Sequence, residues 1–120
     1  MTALLDKVNT HQRKDHQLTA RQVRYLEQET QTFQSQPAAG QRRSYDAIDT
    51  ALLELVLRLR REGVPSWQIK AILVYMGAEL REALARRSNL VLVVVGPRGS
   101  LMTPHEAAAH RGPAVVQVPL

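Results

Sequence analysis

Arg24 and Tyr25 stand three and four positions after Arg21 in the segment Leu18-Thr-Ala-Arg-Gln-Val-Arg-Tyr-Leu-Glu27. That is the spacing of one helical face. Guanidinium groups grip phosphate oxygens or guanine edges with two parallel donors, and a tyrosine hydroxyl beside them can donate to a phosphate. A second basic cluster, Gly40-Gln-Arg-Arg-Ser-Tyr45, follows one loop later and sets Arg42 and Arg43 between a glycine and Tyr45. A turn with cations at its tip is suited to straddling a phosphate backbone. An arginine-bearing helix alone is usually plain solvated surface. Two such clusters in succession point to nucleic acid, with a helix for the groove and an arginine-bearing wing for the backbone.

These residues need elements to hold them. Thr19-Ala-Arg-Gln22 has the pattern of a capping box, so a helix is expected to start at Thr19, with Val23 and Leu26 inward and Arg21, Arg24 and Glu27 outward. Before it, residues 2–14 offer only Leu4, Leu5 and Val8 as an inner face, and Asn9 to Gln17 contains no large apolar residue. The stretch from Gln28 to Gln41 is rich in Gln, Thr, Ser, Ala and Gly and reads as a loop pinned by Phe33. Asp46 can cap a helix running to about Glu62, with Ile48, Ala51, Leu52, Leu55, Val56 and Leu59 recurring at steps of three and four. Gly63 is a C-terminal stop. Val64-Pro65-Ser66 reads as a turn ending in a capping serine, before a helix from about Trp67 to Arg87. Gly77 in its middle costs roughly 1 kcal/mol against alanine and favours a kink. Arg81, Arg86 and Arg87 near its end suit the helix dipole.

The last part changes character. Leu90 to Val95 is a β-branched run and reads as a buried strand, Gly96-Pro-Arg-Gly99 as a tight turn, and Ala114 to Val118 as a further strand. Between the strands, Thr103-Pro-His-Glu106 is a second capping box opening a short helix over 104–110. Two strands are too few for a stable sheet. The tail is therefore expected either to pair with its counterpart in a second protomer or to pack on the chain's own helices.

Composition bounds the function. The chain has 120 residues and a formal charge of +5, without cysteine. The calculated isoelectric point is about 10.2. Such a chain suits an anionic partner and excludes a disulfide framework or thiolate metal site. Met1-Thr-Ala-Leu-Leu-Asp6 lacks the layout of a secretory signal, and the longest apolar run is too short to span a bilayer, so a cytoplasmic, nucleoid-associated protein without membrane contact is expected. His11 and His16 are five apart, as are His105 and His110, and neither spacing converges on a metal from a regular helix. No Ser-His-Asp, paired-carboxylate or phosphate-loop motif stands out, so neither enzymatic activity nor a cofactor is expected.

Three motifs in order carry a family resemblance. Leu18 to Glu27 resembles the recognition-helix signature of MerR-type regulators, Gly40 to Tyr45 resembles their wing, and Asp46 to Leu73 resembles the helix, glycine turn and helix that follow. The likeness covers about residues 18–75 and is closest to the branch that includes glutamine-synthetase repressors. It implies a mainly α fold, a winged helix-turn-helix over residues 1–87, bound as a homodimer to palindromic double-stranded DNA. A β-α-β appendage over 88–120 would be a dimerisation element. By the same resemblance, Thr19, Arg21, Arg24 and Tyr25 lie in or beside the major groove. Arg42, Arg43 and Tyr45 contact backbone at the wing, with Lys70 as a weaker backbone candidate. Leu26 replaces the family's second tyrosine, the first helix is unusually polar, and the long dimerising coiled coil is missing. Two rival readings stand beside a transcriptional regulator: a protein-interaction module that has lost DNA binding, and an architectural or excision-type DNA binder.

Overall fold

A computed structural model of the chain describes residues 5, 8–9, 18–30, 47–95, 98–112 and 115–120. Three helices come first: α1 (Ala20–Thr30), α2 (Ala47–Arg61) and α3 (Ser66–Ala85). Strands β1 (Val91–Val95) and β2 (Arg98–Met102), the short helix α4 (Pro104–Ala107) and strand β3 (Val115–Pro119) follow. The fold is mainly α with a small C-terminal sheet. Leu5, Val8 and Asn9 are helical, and Val8 is buried in the core. Phe33, Asp46 and the wing residues lie outside the described residues.

The helices form for reasons visible in their ends. The Thr19 hydroxyl accepts from the Gln22 amide at 3.2 Å and the Gln22 side chain accepts from the Thr19 amide at 2.9 Å, so the expected capping box is present. α1 runs past Glu27 to Thr30, further than expected, because Glu27 and Thr30 are buried along with Val23 and Leu26. Glu27 thus faces inward, against the outward position expected for a charge. The Thr30 hydroxyl donates to the Leu26 carbonyl.

α2 buries more than its predicted stripe: Leu53 and Leu57 are covered too, because the helix packs against both α3 and β3. It stops at Gly63, whose φ of 89° suits glycine. The Gly63 amide donates to the Arg60 carbonyl and the Val64 amide to the Leu59 carbonyl, the paired closure of a Schellman motif. α3 begins at Ser66 with Pro65 at its N-cap and no side-chain cap, so Ser66 does not act as the expected capping residue. Its interior departs from helical geometry at Met76 (φ −133°, ψ 21°), one residue before Gly77.

The sheet is antiparallel in the order β2-β1-β3. Val95 faces Arg98 and Val91 faces Met102, so the expected tight turn ends before Arg98 and the appendage holds a strand that its sequence did not announce. Gly99 explains part of this. A Cβ there would lie 3.1 Å from the Met76 sulfur and 3.3 Å from Leu92, so glycine lets β2 pass close beneath α3 at its kink. Leu92, Val94 and Val118 share the apolar core of the helices. Val91 and Val93, on the opposite face, pack with Ala107 of α4. The Thr103–Glu106 capping box holds α4, with Pro104 in its first turn. Both faces of the sheet are thus covered within one chain.

Two polar ties complete the frame. Arg81 and Asp49 form a buried ion pair at 2.5 Å between α3 and α2, so Arg81 does not serve the end of α3 as expected. The Arg58 guanidinium donates to the Pro119 carbonyl and fastens β3 to α2. Burial lowers the Arg58 pKa, Glu54 opposes that shift and Arg61 adds to it.

Candidate nucleic-acid interface

α1 presents one polar face. Arg21, Gln22, Arg24, Tyr25, Gln28 and Glu29 are exposed, while the opposite side is locked into the core. Thr19, at the exposed start, is committed to capping. Among the described residues neither Arg21 nor Arg24 has an ion-pair partner, so both guanidiniums remain available to an external anion. Tyr25 is half exposed, and the Lys70 ammonium stands 5.7 Å from the centre of its ring. Lys70 also pairs with Glu29 at 3.2 Å. The hydrogen bond to Glu29 is the first cause raising the Lys70 pKa, followed by the Glu29 and Tyr25 charges. Lys70 thus turns toward α1, beside Tyr25.

Leu18, at the entry to α1, is held by a residue that carries no signal in the sequence. Asn9 accepts from the Leu18 amide at 2.9 Å and donates to the Leu18 carbonyl at 3.0 Å. Leu18 itself is buried. A polar residue therefore supplies what the sparse apolar pattern of the first helix does not: two bonds that set the entry of the chain into α1.

Arg60 is a second residue that sequence reasoning misses. It joins Gln22, Tyr25 and Ser66 around a hollow of about 130 Å³ at the junction of α1, α2 and α3, floored by Leu26, Val56 and Ile69. The signal is present in Arg58-Leu-Arg-Arg61, but only the fold shows that Arg58 turns to β3 and Arg60 to the α1 side.

Arg42, Arg43 and Tyr45 lie outside the described residues, as do His11 and His16. Among the described residues no cluster of three His, Asp or Glu could hold a metal ion.

Residues 13–75 match the family model described as the MerR HTH family regulatory protein. The chain belongs to the MerR family. The match covers α1, α2 and the first half of α3, and it ends before the sheet. Searches of characterised proteins and of solved structures returned no match. Within this MerR-family chain the matched region places the capped, arginine-bearing α1 against the paired helices α2 and α3. It also takes in the segment that carries Arg42, Arg43 and Tyr45. Among the described residues no helix is long and apolar enough to cross a membrane.

Proposed function

We propose that this MerR-family protein is a sequence-specific, double-stranded-DNA-binding transcriptional regulator that acts as a homodimer in the cytoplasm, at the nucleoid. The observation that carries the reading is the α1 face: Arg21, Arg24 and Tyr25 are exposed together on a helix fixed at its start by a capping box and the Asn9 clamp. Rigid placement matters because base reading needs side chains held to within a fraction of an ångström. In this reading residues 1–87 read DNA, and residues 88–120 carry assembly.

The division of labour follows from reach and charge. Arg21 and Arg24 read guanine edges or grip phosphate from the major groove. Thr19 holds the helix start next to the backbone. Tyr25, steadied by Lys70, donates to a phosphate. Arg42, Arg43 and Tyr45 are proposed as the wing contacts. Arg60 adds a cation beside Tyr25, close to the start of α3, where the helix dipole also favours an anion.

Binding to DNA from the protein's own promoter region should weaken steeply with salt, because each neutralised phosphate releases counterions with a slope near −0.9 in log–log terms. Arg60→Ala should lower that slope by about one and leave sequence preference unchanged. A flat salt dependence would remove DNA as the ligand. Recovery of a stoichiometric protein partner without DNA would favour the interaction-module reading.

A further inference from the structure

The two edges of the sheet are treated differently. β3 ends in Pro119, which lacks an amide donor, and the Pro119 carbonyl is taken by Arg58. Proline and such capping are familiar ways of closing an edge. β2 has neither: its sequence is Arg98-Gly-Ser-Leu-Met102, and it forms the other border of the sheet. Beside it runs a groove of about 830 Å³ whose far wall is the middle of α3, including Tyr75, Met76 and Glu79. Tyr75 is 86% exposed and Val74 49% exposed, an apolar pair without cover among the described residues.

We infer that the β2 edge and the adjoining α3 face form the contact with a second copy of this chain, β2 pairing antiparallel with its counterpart about a two-fold axis at Ser100. The inference rests on the dimeric reading above and gives it a surface. Backbone geometry supports the register. The Leu120 amide bonds to the Leu90 carbonyl, so Leu90, Leu92 and Val94 turn their backbone groups to β3, while Val91, Val93 and Val95 turn theirs to β2. Arg98, Ser100 and Met102 are therefore bonded inward to β1, and the amides and carbonyls of Gly99 and Leu101 point to the open side. Pairing about Ser100 sets Gly99 of each copy opposite Leu101 of the other, where both exchange hydrogen bonds.

Charge and size argue for a second copy as the occupant. The chain is strongly basic, yet the groove is lined by one cation, Arg98, and one carboxylate, Glu79. A two-fold contact brings two of each together and adds no net repulsion. A five-residue strand alone falls short of the roughly 1,200 Å² that a stable interface buries. Tyr75, on the adjoining helix, supplies apolar surface in the same patch. The contact does not compete with DNA, because Tyr25 and Lys70 meet at the beginning of α3, whereas β2 crosses its middle. The result is a continuous six-stranded sheet with both α1 helices free, an isologous dimer in which each patch meets itself.

The full chain tests this directly. It has no cysteine, so Ser100→Cys introduces a single thiol. Opposite a two-fold copy, residue 100 forms a non-hydrogen-bonded pair with Cα atoms about 4.5 Å apart, within the span of a disulfide. Under mild oxidation Ser100→Cys should give a covalent dimer, and Ala109→Cys, at an exposed position near α4, should not. In sedimentation equilibrium the parent chain should dimerise, and Tyr75→Asp should weaken self-association roughly tenfold or more, with an unchanged circular dichroism spectrum. A monomeric parent chain, a dimer untouched by Tyr75→Asp, or a Ser100→Cys protein that fails to cross-link overturns the interface. Binding to a single half-site duplex separates the two readings. A monomer that binds it sinks the interface and spares the DNA reading, whereas a Ser100-linked dimer that binds no DNA does the reverse.

Discussion

Arg24 sits where a truncation is least able to disturb the fold, since its side chain is exposed and α1 is capped elsewhere. Arg24→Ala should therefore weaken DNA binding by about 1–3 kcal/mol at unchanged thermal stability, as read by fluorescence anisotropy beside a melting curve. Unchanged affinity would remove Arg24 from the interface. Asn9 is the complementary case, acting through the backbone of Leu18. At the far end of α3, Arg87 adopts φ 50° and completes a Schellman closure, with its amide bonded to Leu84 and the Ser88 amide to Ala83. A side chain in that left-handed conformation costs about 1–2 kcal/mol, so Arg87→Gly should raise the urea midpoint. A lower midpoint would mean that the arginine side chain has a stabilising contact.

The elements that carry local signals are legible in the sequence. Thr19 and Gln22, and Thr103 and Glu106, announce two helix starts through capping chemistry that depends only on neighbours. The three-and-four spacing from Ile48 to Leu59 announces α2. What escapes is decided by tertiary contact. Arg98 to Met102 has the glycine and serine of a turn, and it becomes a strand because β1 offers an edge and Gly99 clears Met76. Glu27 and Arg81 look like surface charges until the fold buries them. The MerR likeness is legible from three motifs, whereas the roles of Asn9 and Arg60 are not, since each depends on a partner distant in sequence or on a neighbouring helix. α4 carries its own pH expectation. The Thr103 side chain, and then its backbone amide, hold Glu106 below the usual carboxylate range. A depressed folded-state value means that the stabilisation is whole above the unfolded pKa of about 4.3 and fades as pH falls through the folded value. The Ala107 amide, bonded to the Thr103 carbonyl, should lose hydrogen-exchange protection over that acid range. Glu106→Ala should flatten the dependence, and an unaltered acid profile in that variant would assign the effect to other groups.

At the scale of the molecule, the helices and the sheet depend on one another through a shared core and two polar ties. Arg81 is the residue on which the helical frame turns, because it neutralises a fully buried Asp49 at the start of α2. Arg81→Ala should cost about 3–5 kcal/mol by leaving that carboxylate buried without its cation. The check is chemical denaturation, with the midpoint falling at an unchanged slope. A loss below about 1 kcal/mol, the scale of an exposed pair, would mean that Asp49 finds another partner or reaches water.

The close passage of β2 under α3 has one more consequence, for chemical ageing. The Met76 sulfur lies where even a methyl group on Gly99 would be crowded, with Leu92 and Ile72 alongside. Oxidation to the sulfoxide would set a polar oxygen beside these apolar atoms at the close passage. Burial shields the thioether in the folded chain. A molecule oxidised during a transient opening would then close poorly, so that peroxide damage would accumulate first as a loosened sheet, with α1 still intact.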